Sequence, residues 1–392
     1  MPVFSIYPYS AGALKMEIFQ NTPVIILPRN NTSLRPLAED SDKLLLNVGN
    51  RPIIYHNLKK LADFGYRDIL ISVEADNEFL RAYLQTVRLP GLKIQICTIE
   101  DELEELAILS SLQPAIGDRR FFVLTTDILL TNYLYDFHKN HLQINKRASV
   151  GVRQLPFDTR LSDALFTANL VDQKNINPYN YDWHHYACGI FLLEPCIFDD
   201  LSSGKFENSI AAFLFAHLQD KKYVHLEHAD HLCKEVRNLD DFLHANFDWV
   251  RNYYSKNNLD FISARSTNTP FCVGEVYIDP HAEVHPKSIL IGPAIIGRGC
   301  TIEEEAVIQR SVLRSNVHVQ KKAILRDCIV NRDVSISAGS QHVSKLVLED
   351  ALNFRLDDFK QVASILKNYP PHMGRKRDNM FPESQKGLNI LA

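Results

Sequence analysis

Asp127 is the residue whose neighbours best place it to do chemistry. It follows the apolar run Phe121-Phe122-Val123-Leu124 and two threonines. Such a run predicts a buried strand, and a carboxylate just past its carboxyl end stands where open α/β sheets bind ligands. There it can ligate a divalent cation or, more plainly, cap a turn. His225, His228 and His231 recur every third residue. On a helix that spacing would gather zinc ligands, whereas on strand and loop it scatters them. Arg375-Lys376-Arg377 could meet an acidic partner, although a short basic tail is ordinarily solvated. The 7 cysteines are dispersed without a C-x-x-C pair. That usage predicts reduced thiols in a cytoplasmic setting rather than a disulfide framework. A net charge of −4 offers nucleic acid no general basic field. No apolar stretch nears the roughly 20 residues of a membrane span, so neither a membrane nor direct nucleic acid is an expected partner.

Placing Asp127 requires a sheet and its helices. Val24-Ile25-Ile26-Leu27 reads as a buried parallel strand, with further strands at 69–73 and 93–97. Between them, 52–64 has helical spacing at Ile53, Ile54, Leu58 and Leu61, with Gly65 in the usual stop position. Residues 79–87 and 102–112 also read as helices. This alternation predicts a Rossmann-like α/β domain with a mainly parallel sheet over 22–252, preceded by an arm at 1–21 and followed by a linker at 253–271.

Beyond the linker the period changes. Ile278, Val284, Leu290, Ile296, Ile302, Ile308, Leu313, Val319, Leu325, Val330 and Ile336 follow one another at steps of six, twice of five. A compact residue stands two positions before most of them, among them Ser288, Ala294, Cys300, Ala306, Ser311, Ala323 and Cys328. A hexapeptide repeat of this kind predicts a left-handed β-helix over 272–342, with one inward aliphatic per short strand and a small side chain at each corner. Residues 343–392 are expected to supply an amphipathic capping helix and a tail, because a repeat array needs its open end covered. The coil's flat sides are expected to join homo- or hetero-oligomers.

Three motifs in order carry a family resemblance. Leu44-Leu45-Leu46-Asn47-Val48-Gly49-Asn50-Arg51-Pro52-Ile53-Ile54 is similar to "P-L-L-P-V-G-N-R-P-I-I" of the sugar-1-phosphate nucleotidyltransferases, especially the mannose-1-phosphate guanylyltransferases. Gly189-Ile190-Phe191-Leu192-Leu193-Glu194-Pro195 resembles their "A-G-I-Y-V-L-E-P", and 238–246 resembles "T-P-E-D-Y-L-E-A-N". The resemblance spans roughly residues 22 to 340 and implies transfer between a nucleoside triphosphate and a sugar-1-phosphate with Mg²⁺. By the same resemblance the nucleotide loop is Leu27, Pro28, Arg29, Asn30, Asn31, Thr32 and Ser33. The metal ligands are Asp127 and Glu235, and Lys43 matches the phosphate-contacting lysine.

The loop departs from the family's "G-x-G-T-R-x-R-P-L". Arg29 and Asn31 replace glycines that let backbone approach phosphates, and Ser33 replaces an arginine that stabilises transferring charge. Arg35 is a substitute cation. Glu104-Glu105 stands where the family contacts the purine, adding negative charge near a triphosphate. The expectation is a pyrophosphorylase-like protein with a degenerate site, acting as a regulatory or scaffold subunit or a nucleotide-sugar sensor. One alternative is an active enzyme making a nucleotide sugar such as GDP-mannose. The other is a gamma-type subunit of the translation-initiation guanine-nucleotide exchange factor, which the stretch 122–131 resembles.

Overall fold

The computed structural model describes residues 19–28, 34, 37, 43–100, 103–132, 134–156, 183–203, 209–218, 220, 222–229, 232–257, 269–349 and 352–355. The expected arm lies almost wholly outside these residues. One sheet is built from β1 (Val24–Leu27), β2 (Asp68–Glu74), β3 (Lys93–Ile99) and β4 (Phe121–Thr125). After a short β5 (Ile128–Leu130) that leaves it, the sheet adds β6 (Ala148–Pro156), β7 (Trp183–Leu193) and β8 (Val224–His228). Their order is β8-β6-β7-β4-β1-β2-β3, and only β7 runs antiparallel to its neighbours. Every residue of β1 is buried, as an unbroken aliphatic run requires in a sheet covered on both faces.

Helix α1 (Ile53–Phe64) buries Ile53, Ile54, Leu58 and Leu61 and stops at Gly65, whose φ is +97°. Asn57 turns its amide from this helix to β5, giving to Ile128 O at 2.9 Å and accepting from Leu130 N at 2.9 Å. Helices α2 (Glu78–Thr86) and α3 (Glu105–Ser111) fill the next crossovers. Helix α4 (Tyr135–Ile144) buries His138 and His141. The short β9 (Cys233–Glu235) pairs antiparallel with β5, and α5 (Leu239–Asn257) closes the domain. Gly49 sits in the tight turn of the 47–52 hairpin with φ +65°, and a Cβ there would meet the Trp249 ring of α5 at 2.2 Å. Its amide gives to Asn246 Oδ1 at 2.8 Å, so the first and third sequence motifs meet in space.

The coil is a three-faced prism, the left-handed β-helix expected of the repeat. Leu290, Ile296, Ile302, Ile308, Leu313, Val319, Leu325, Val330 and Ile336 fill its interior. The corner residues Ser288, Ala294, Cys300, Ala306, Ser311, Ala323 and Cys328 are completely buried. A docked face comprises 276–278, 294–296, 312–313, 329–330 and 345–349. Its outward ladder Tyr277–Ile295–Val312–Ile329–Leu346 belongs to the same apolar core as α1 and α5. The second face points Glu283, Thr301, His318 and Ser335 outward and is polar. The third, open face comprises 271–273, 289–291, 307–309, 324–326 and 341–343.

Two expectations differ from this arrangement. The helix expected from residue 343 is not there: 345–349 adds a rung and 352–355 folds back against it, antiparallel. Leu346 points onto the docked ladder and Val347 into the coil, so strand alternation overrides the helical spacing. Residues 356–392 of the expected cap and tail lie outside the described residues. Helix α5 also runs to Asn257, into the expected linker, because its last turns have coil to pack on. Trp249 and Tyr253 meet Tyr277 at ring distances of 5.0 and 5.4 Å. The Tyr254 hydroxyl gives to Val276 O at 2.9 Å and accepts from Val276 N at 3.1 Å.

Candidate functional site

The carboxyl ends of β1 and β4 bring Leu27 and Asp127 side by side. Leu27 pairs with Thr125, and Leu27 O accepts the Thr126 amide at 3.0 Å, so the chain leaves β1 beside Asp127. Thr125 Oγ1 gives to Asp127 Oδ1 at 2.5 Å. Gly189 on β7 makes room for that hydroxyl, because a Cβ there would lie 1.9 Å from Thr125 Oγ1. Pro28 is half-buried, and Arg29, Asn30, Asn31, Thr32, Ser33 and Arg35 lie outside the described residues.

Asp127 and Glu235 do meet. Val236 N gives to Asp127 O at 2.7 Å, where β9 runs back along β5. A guanidinium stands between the two carboxylates. Arg237 Nε gives to Asp127 Oδ2 at 3.2 Å, and its Nη2 gives to Glu235 Oε1. Asp127 and Arg237 are 2% and 6% exposed, so this bridge is shielded from solvent. Glu235 Oε2 also accepts from the Tyr186 hydroxyl at 2.7 Å and from Arg153 Nη1 at 3.5 Å. The Tyr186 ring lies 5.2 Å from the Arg237 guanidinium carbon, adding a cation–π contact.

Burial pushes the Glu235 carboxyl above its ordinary pKa, and the Arg237 charge opposes that push. Burial, then the Glu235 charge, raises the Tyr186 phenol, which stays a donor. Two carboxylates therefore face two guanidiniums and the cluster is close to neutral. A divalent cation wants carboxylate oxygens that are free to turn to it. In this arrangement the donor set does not fit Mg²⁺, since a fixed cation already spans both ligands.

The other sequence candidates stand elsewhere. Lys43 opens a single 3-10 turn, Lys43–Leu45, and its carbonyl accepts Leu46 N at 3.0 Å. Glu104 is the residue before α3, and Glu105 Oε2 accepts Ile210 N at 3.1 Å, giving that carboxylate a structural task. His225 and His228 lie on β8 as strand residues, and His231 is outside the described residues. Sequence reading missed Arg237, Arg153 and Tyr186. One signal was present: Glu235 and Arg237 are two apart in an extended segment and so share a side.

A mostly parallel α/β sheet with its carboxylate pair at the strand ends, followed by a β-helix, defines a nucleotidyltransferase-type protein. The family models and the curated relatives agree with this layout. Residues 24–160 match the nucleotidyl transferase family model, and residues 272–356 match the model of the GMPPB C-terminal domain. A mannose-1-phosphate guanyltransferase of Candida albicans is 27% identical over 349 residues, covering 88% of this chain and 95% of that protein. Mannose-1-phosphate guanylyltransferase 1 of Arabidopsis thaliana is 22% identical over 373 residues, covering 92% and 98%. A solved Bacillus anthracis chain described as a glucose-1-phosphate thymidylyltransferase is similar at 16% identity and a TM-score of 0.47, covering 57% of this chain and 93% of that one. These family-model and relative matches are consistent with a sugar-1-phosphate nucleotidyltransferase family. Among the described residues no helix is long and apolar enough to cross a membrane.

Proposed function

We propose that this protein is a nucleotidyltransferase-fold subunit whose cation site is filled from within, and that it works as a regulatory or scaffold subunit or as a nucleotide-sugar sensor in the cytoplasm. The observation that carries the reading is the Arg237 guanidinium between Asp127 and Glu235. In phosphoryl chemistry a metal bridges phosphate oxygens and neutralises developing charge, while the protein mostly positions the groups. A guanidinium held by both ligands supplies a fixed charge but no exchangeable coordination site. Support also comes from Arg29, Asn31 and Ser33, which stand where the family has two glycines and an arginine. Loss of a single preorganised charge donor typically lowers a rate by about 10²–10³.

The test is direct. Purified protein with Mg²⁺, each of four nucleoside triphosphates and a panel of sugar-1-phosphates should release no pyrophosphate above a protein-free blank. Turnover at rates ordinary for enzymes sinks the proposal. The active-enzyme reading has one observation in its favour, the closeness of Asp127 and Glu235. It requires Arg237 to leave them, and metal-dependent turnover abolished by Asp127→Ala would select it.

A further inference from the structure

Two of the buried cysteines touch each other. Cys188 on β7 and Cys233 on β9 are both completely buried, and their thiols share a hydrogen bond. The buried thiols of the coil are served by carbonyls instead. Cys300 Sγ gives to Arg314 O at 2.9 Å, and Cys328 Sγ gives to Arg326 O at 3.1 Å. The sheet makes room for the Cys188 thiol. Between the pairs Val150–Phe191 and Val152–Ala187, Gly151 of β6 stands opposite 188–190 of β7, a bulge that contains Cys188. A bulge re-aims a side chain, and a Cβ on Gly151 would lie 3.1 Å from Cys188 Sγ.

The thiol pair adjoins the ion cluster. Residues two apart on an extended strand share a side. Tyr186 and Cys188 stand so on β7, and Cys233 and Glu235 on β9. The Tyr186 hydroxyl gives to Glu235 Oε2 at 2.7 Å, so the two thiols make the neighbouring contact between the same two strands. Arg153 ties into both contacts: its Nη2 gives to Cys233 O at 3.2 Å and its Nη1 to Glu235 Oε2 at 3.5 Å. β9 is a three-residue strand that pairs with β5 apart from the main sheet. So short an element opens locally at far lower cost than the whole domain, which gives a small oxidant its way in.

We propose that Cys188 and Cys233 are a reversible dithiol–disulfide site, and that the disulfide clamps β9 to β7 with Arg237 held between Asp127 and Glu235. The oxidant is a hydroperoxide, hydrogen peroxide in the simplest case. One thiol sulfur attacks a peroxide oxygen, the O–O bond breaks, and water leaves with a sulfenic acid formed. The second sulfur displaces the sulfenic oxygen as another water, and the S–S bond forms. The thiols lose two electrons to the peroxide, and their two hydrogens end in the waters. A dithiol reductant reverses the step by exchange. The disulfide rests on the geometry of the thiols alone. Its effect on the cluster rests on the filled-site reading given under the proposed function.

The full chain is treated with hydrogen peroxide under native conditions, then alkylated in denaturant and digested. One disulfide-linked peptide should join 188 to 233, and Cys233→Ala should lack it. The map is made on the native sequence, so it does not depend on how the variant folds. The melting temperature should rise by several degrees and return on adding dithiothreitol. Amide exchange at 234–237 should slow about tenfold on oxidation, while exchange at 69–73 in the central sheet stays as it was. Cys188 and Cys233 recovered unlinked after peroxide, or linked only when urea is present, overturn the dithiol site. A disulfide that leaves exchange at 234–237 unaltered overturns the clamp. Neither failure touches the pyrophosphate assay, and turnover in that assay leaves the disulfide map in place.

Discussion

Arg237 is the residue on which the chemistry of this fold turns. Removing one member of a buried ion cluster leaves the others desolvated and unbalanced, at a typical cost of about 3–5 kcal/mol. Arg237→Ala should therefore lower stability by that order in a urea titration, because the buried Asp127 and Glu235 would lose the cation that stands between them. The variant should also gain what the native protein lacks: millimolar Mn²⁺ should raise its melting temperature by several degrees and leave that of the native protein in place. A second prediction concerns His138. Its ring packs against Phe19, Tyr66 and Phe122, and burial, with the nearby Arg120 and His141, lowers its pKa to about 3. An unfolded histidine titrates near 6.5. Between these values the unfolded chain binds the extra proton, so this residue's contribution to stability is whole above pH 6.5 and falls as pH drops toward 3. From pH 7 to 5 the loss should be about 1–2 kcal/mol. His138→Phe should flatten the stability–pH curve across that window, and an unaltered slope would refute the assignment.

At the scale of elements, the 47–52 turn and α5 behave as one part. Gly49→Ala demands a side chain at φ +65° and inside the Trp249 ring, and should cost more than about 2 kcal/mol. Trp249→Leu on the same background should return part of it. The strands and the coil were legible in the sequence because their periods are short and local. Residues 121–124 are one apolar run, and Leu290 to Ile336 repeats with the rungs. The docked ladder left a weaker trace: Ile295, Val312, Ile329 and Leu346 each stand directly before an inward aliphatic. Two adjacent aliphatics in a two- or three-residue strand mean that both sides are covered. The Arg237–Asp127 contact left none, for it joins residues 110 apart and depends on β9 folding back along β5. The end of the coil was misread because 343–355 satisfies a helical spacing while Leu346 and Val347 satisfy a strand's.

At the scale of the whole molecule the two domains share one apolar core, so they should unfold together. Val312→Asp, which charges the middle of the docked ladder, should split the single urea transition into two. All seven cysteines are free thiols, and five of them are buried, leaving Cys97 and Cys196 half-exposed. Burial raises the Cys300 and Cys328 thiols to about 11. A thiol reagent should therefore label at most two sites quickly and all seven after denaturation. The docked ladder has one further property. Its rungs repeat about every 4.8 Å and, beyond Tyr277, carry nearly interchangeable aliphatics, so those rungs taken alone would look as well packed after sliding past α5 by a whole rung. What breaks that translational degeneracy is polar: Arg314 Nη1 reaches Leu37 O at 2.7 Å, and Tyr254 clasps both polar atoms of Val276. These few bonds, with the Tyr277 ring held by Trp249 and Tyr253, act as the index mark on a ruled scale and decide which graduation the loop after β1 is read against.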